Sequence, residues 1–93
     1  MTTTTTTLTA MPYAQATVIR YDNDYIGLRS YQTIVAMIDD KGVLTVRGLY
    51  SATTRKHIGA FVREYANTDY QTAKRICEDC CGYNIYTGEV VKL

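Results

Sequence analysis

The chain has 93 residues, 46% of them hydrophobic, with 10 Lys+Arg against 9 Asp+Glu. That length holds one domain, and the composition excludes wholesale disorder. A formal net charge of +1 excludes both a polyanionic nucleic-acid mimic and a strongly basic nucleic-acid binder.

Residues 1–12 open with a run of six threonines and lack any amphipathic period. They read as a disordered Thr-rich tail, because polar low-complexity tracts bury too little apolar area to offset ordering entropy. The alternative is a strand on an exposed edge, since threonine is β-branched. Residues 13–93 read as a single α+β domain. Tyr13 to Tyr21 has strand alternation, with Ala14, Ala16 and Val18 on one face. Asp22-Asn23-Asp24 is a turn signal, and Tyr25 to Leu28 is ambiguous around Gly27. Ser30–Ile38 and Val43–Leu49 form a hairpin around Asp39-Asp40-Lys41-Gly42, with Gly42 where positive φ is wanted.

Two helices follow. Ser51 or Thr53 caps the first, whose Ile58, Phe61, Val62 and Tyr65 form one apolar stripe. Asn67 ends it. Thr68 to Gln71 matches a capping box for the second helix. Its stripe is Tyr70, Ala73, Ile76, Cys77 and Cys80, and Gly82 suits the position just past its end. Tyr83 to Val91 offers a last strand or short hairpin. The expected fold is a small antiparallel sheet of three to four strands with two helices packed on one face, in the order β-β-β-α-α-β.

Cys77, Cys80 and Cys81 carry the one spacing with chemistry in it. On a helix they stand at i, i+3 and i+4, so their thiols converge near its end. Zinc takes four tetrahedral Cys and His ligands, and the single histidine, His57, supplies the fourth if the helices pack antiparallel. Such a structural zinc would staple a small core. Two alternatives stand beside it: buried core cysteines and a redox or intermolecular role. Three cysteines cannot all pair internally. The odd number and the absence of a signal-peptide pattern suggest a soluble protein of a reducing cytoplasm, with no membrane span.

Catalytic signals are sparse: no phosphate-binding glycine loop, no nucleophile elbow and one imidazole. The expectation is a protein that is not an enzyme. Arg47, Tyr50, Arg55, Lys56 and Arg63 are the candidate partner-binding residues. The nine tyrosines add to that reading, with Tyr21, Tyr25, Tyr31, Tyr50, Tyr83 and Tyr86 near turns or strand ends, because tyrosine is enriched at interfaces. The alternative leaves them as amphipathic sheet residues.

Ser30-Tyr31-Gln32-Thr33-Ile34-Val35-Ala36, followed by Tyr50-Ser51-Ala52-Thr53-Thr54-Arg55-Lys56-His57-Ile58, resembles a domain-of-unknown-function family of small proteins from phages and mobile elements of Gram-positive bacteria. The resemblance covers residues 30 to 65 and carries no catalytic residues; the three cysteines are not part of its pattern. It implies action inside a bacterial host cell. The function it suggests is inhibition of a host defence machine, as an anti-CRISPR protein inhibits a Cas effector nuclease such as Cas9. The partner is then a host protein or ribonucleoprotein, and a second copy of the chain is a further candidate. The alternatives are a small nucleic-acid-associated regulator and a phage structural or assembly protein.

Overall fold

The computed structural model describes residues 3–48 and 51–93. Among them the elements run β1 (Thr4–Thr7), β2 (Ala16–Arg20), β3 (Ile26–Ser30), β4 (Thr33–Ile38), β5 (Val43–Val46), α1 (Ala52–Tyr65), α2 (Tyr70–Glu78), β6 (Cys81–Asn84) and β7 (Val90–Lys92). The strands form one antiparallel sheet in chain order, β1 to β7. The helices are therefore an excursion between the neighbouring strands β5 and β6. No helix among the described residues is long and apolar enough to cross a membrane.

This overturns the expected sheet of three to four strands in the order β-β-β-α-α-β. The added strands lack the alternation that announces a half-buried strand. All four threonines of β1 are exposed, β3 is interrupted by Gly27, and β6 (Cys81-Gly82-Tyr83-Asn84) occupies the stretch that resembled a helix end. The Thr-rich stretch read as a tail instead supplies β1, which pairs with β2 from Thr4↔Arg20 to Thr7↔Thr17. Leu8 follows at 0% exposure and anchors it in the core.

The turns explain the strand boundaries. Asp39 Oδ1 accepts from the backbone N–H groups of Lys41 and Val43, both at 2.9 Å, and Gly42 has φ +82°, as a tight β4–β5 hairpin requires. The β3–β4 turn is less conventional: Tyr31 has φ +57°, a conformation uncommon for a bulky residue. Ser30 therefore closes β3 and does not open the next strand. Between Leu28 and Arg29 the register with β4 shifts, leaving Val35 as an extra, buried residue, the local effect of a bulge.

Direct cross-strand partners share a face. Val18, Leu28, Ala36, Ile38, Leu44 and Val46 lie on one side and form a single core with Ile58, Phe61, Val62, Ala73 and Ile76 of the helices. α1 packs on β3 and α2 on β5 and β6. The other face carries Ile19, Gly27, Arg29, Met37 and Thr45 by the same register and has no helix over it. The shortest dimension, 20 Å, fits one sheet plus one helix layer.

Helix ends also differ in detail from the expectation. Ser51 Oγ caps α1 by accepting from Thr54 N–H at 3.3 Å, and Asn67, with φ +51°, closes it. α2 is capped by Asp69, one residue later than the expected Thr68, through Thr72 N–H to Oδ1 at 3.1 Å. A carboxylate accepts two bonds here, from the amide and the hydroxyl of Thr72. α2 ends at Glu78, and Cys80, with φ +52°, takes the left-handed position expected of Gly82.

Candidate functional site

α1 and the chain that packs beside it build a basic groove. Arg55, Gly59 and Arg63 stand at i, i+4 and i+8, which places them on one helix face. With Lys56, Met11 and Tyr70 they line a concavity of about 390 Å³. Met11 comes from the segment tied to α1 by Thr9 N–H donating to Glu64 Oε1 at 2.8 Å. Gly59 is buried, and a Cβ there would lie 3.4 Å from Arg63 Nη1 and 3.6 Å from Tyr70 Cβ. Both are ordinary van der Waals distances, so the arginine and the tyrosine flank the helix backbone at Gly59 with room for a methyl group.

The groove is cationic with an apolar floor, and none of its lining residues is acidic. The first turn of α1 also has no acidic residue. The partial positive charge of the helix N-terminus thus has the same sign as Arg55 and Lys56 beside it. Such a surface favours carboxylates or phosphates held beside an apolar or aromatic group.

Of the five partner-binding candidates, Arg55, Lys56 and Arg63 meet in this groove. Arg47 does not: it lies on the opposite side of the sheet with Tyr21, Tyr25 and Met37. Tyr50 lies outside the described residues. Met11, Gly59 and Tyr70 were missed as site residues.

The proposed zinc ligands do not converge. Cys77 is in α2, Cys80 is the exposed left-handed residue after it, and Cys81 opens β6. They no longer share a helix face. Cys81 Sγ donates to the Asp79 carbonyl at 3.3 Å. His57 belongs to the other side of the core, with Nδ1 2.8 Å from Ser30 Oγ of β3. β3 and β6 are three positions apart in the sheet, roughly 14 Å at a strand spacing of about 4.8 Å, whereas zinc ligands sit within about 2.3 Å of the ion. Among the described residues no group of three or more His, Cys, Asp or Glu side chains is placed to hold a metal ion. His57, Cys77, Cys80 and Cys81 do not fit a common zinc site.

Burial shapes both sets of groups. Desolvation lowers the His57 pKa, because the buried ring resists charging. Burial pushes the Cys77 thiol up, with the nearby Cys80 and Glu78 adding repulsion, so its thiolate is suppressed. Ser30 Oγ is also 2.9 Å from Thr54 Oγ1. At 3% and 1% exposure, Ser30 and His57 form a closed structural network out of reach of a substrate.

No curated protein and no solved structure matches the chain. A family model matches residues 1–79, which include both the basic groove and the Ser30–His57 contact. The chain belongs to a family of unknown function, DUF8033.

Proposed function

We propose that this chain is a non-enzymatic binding protein of a phage or mobile element. It docks through the Arg55–Lys56–Arg63 groove onto an acidic surface of a host defence ribonucleoprotein, inhibiting it as an anti-CRISPR protein inhibits a Cas effector nuclease. The observation that carries the reading is the make-up of the groove: Arg55, Lys56 and Arg63 around an apolar floor of Met11, Gly59 and Tyr70, with no carboxylate among its described lining residues. Such a site supplies charge steering at its rim and a desolvated aromatic contact at its centre, the combination that anchors protein interfaces. The host setting rests on the sequence resemblance described above.

The test is target cleavage by purified Cas effectors from candidate hosts, with and without the protein. Inhibition by the parent, and its loss in the variant Arg55→Glu/Lys56→Glu/Arg63→Glu at unchanged thermal stability, supports the reading. Unimpaired cleavage across those effectors, or inhibition that survives the triple charge reversal, overturns it.

A further inference from the structure

The sheet face away from the helices holds a second, independent feature. Ile19 is only 7% exposed, yet it stands outside the core shared with the helices, so this face has an apolar layer of its own. Tyr21 and Met37 cover Gly27: a Cβ on that glycine would approach Tyr21 Cε2 at 3.2 Å and Met37 Cε at 3.4 Å. Beside them a concavity of about 310 Å³ is lined by Tyr21, Asn23, Tyr25, Ile34, Met37 and Arg47. Two aromatic rings, an amide, a guanidinium and an aliphatic floor thus meet on an open antiparallel sheet.

Charge identifies the occupant. Across β1 to β7, the strand residues placed on this face by register include one charged side chain, Arg29, and no carboxylate; the β2–β3 turn adds Asp22 and Asp24, of which Asp24 lines a different concavity with Arg20 and Ile26. Arg47 follows β5 on the same side. Both arginines are exposed, and neither has a carboxylate partner among the described residues. Aromatic rings that accept a flat π-face, next to cations that accept phosphate, suit unpaired bases on a flexible backbone. A duplex hides its bases, and its stiff cylinder fits a shallow concavity poorly.

We propose that the open sheet face binds single-stranded nucleic acid, with a base against Tyr21 and Tyr25 and the backbone phosphates on Arg47 and Arg29. Asn23 stands at the edge of the concavity, within reach of a base edge. This proposal does not depend on the α1 groove, which lies on the other side of the sheet.

The test is fluorescence anisotropy of a labelled oligouridine of roughly 12 nucleotides, within the range of about 4–16 nucleotides engaged by comparable sheet surfaces. A duplex of equal charge serves as competitor. The single strand is expected to bind with affinity that falls as salt rises, and at least about tenfold tighter than the duplex. Tyr25→Ala is expected to weaken it by roughly 5- to 150-fold, the effect of losing one stacked base. Arg47→Glu, an exposed change that leaves the fold intact, weakens it comparably and decides the matter if Tyr25→Ala fails to fold. Three outcomes overturn the proposal: no binding at low salt, equal affinity for duplex, or binding lost with Arg55, Lys56 and Arg63 but retained in Arg47→Glu. The last would move the nucleic acid to the helix groove. Failure to inhibit a nuclease would leave this result untouched.

Discussion

The hydroxyl of Ser30, the last residue of β3, lies 2.8 Å from His57 Nδ1 of α1. The same oxygen reaches Thr54 Oγ1 at 2.9 Å, so one side chain of the sheet joins two residues on successive turns of the helix. Tyr31 closes the arrangement with its ring 5.9 Å from that of His57. The left-handed backbone at Tyr31 is thus held where sheet, turn and helix meet.

Ser30→Ala removes the shared hydroxyl and leaves buried His57 Nδ1 without that partner, while Thr54 Oγ1 still accepts from Ser51 Oγ at 3.4 Å. One such orphaned group costs about 1–3 kcal/mol. Urea denaturation should show that loss with an unchanged m-value. A variant as stable as the parent would mean that the network contributes nothing net.

Stability should also depend on pH through His57. Its folded pKa lies below the ordinary histidine value of 6.5, so below that pH the unfolded chain binds a proton that the folded chain refuses. The unfolded state then holds more protons, and stability falls as pH falls. The contribution is fully present above pH 6.5 and is lost as the pH drops through the folded pKa. Denaturation midpoints at about pH 7.5 and pH 5 should therefore separate more for the parent than for His57→Gln; equal separations would contradict this.

Leu8→Ala should destabilise the protein by about 2–5 kcal/mol, the range for a large apolar side chain removed from a core, because Leu8 is fully buried with the helices and sheet. Thr5→Ala, three residues earlier on an exposed strand, should change stability by no more than about 0.5 kcal/mol. Thermal denaturation of the pair separates an anchored N-terminal segment from a loose one, for which both effects would be small.

The three thiols should differ in reactivity. Cys80 is exposed and Cys77 half-buried, with burial holding the Cys77 pKa up. Iodoacetamide followed by peptide mass mapping should label Cys80 first and Cys77 last. Since the three thiols and His57 do not surround one point, a chelator should leave the melting temperature unchanged. A drop on chelation would show a metal bound in the folded protein.

Sequence alone determined the features set by near neighbours. The Asp39–Gly42 turn, the Ser51 cap, the apolar stripe of α1 and the stop at Asn67 each depend on a few adjacent residues, whose backbone preferences and hydrogen bonds are local. The basic residues Arg55, Lys56 and Arg63 were also visible, because they repeat along one helix. Tertiary structure decided the rest. Thr4–Thr7 has no apolar pattern of its own and becomes a strand because the edge of β2 satisfies its backbone. Cys80 and Cys81 leave the helix because β6 must pair with β5, which separates the thiols that helical spacing would have gathered. Arg47 parted from Arg55 because it follows β5 on the sheet face away from the helices. A strand sends alternate side chains to opposite faces, so which side of the sheet receives the helices decides which cations share a surface.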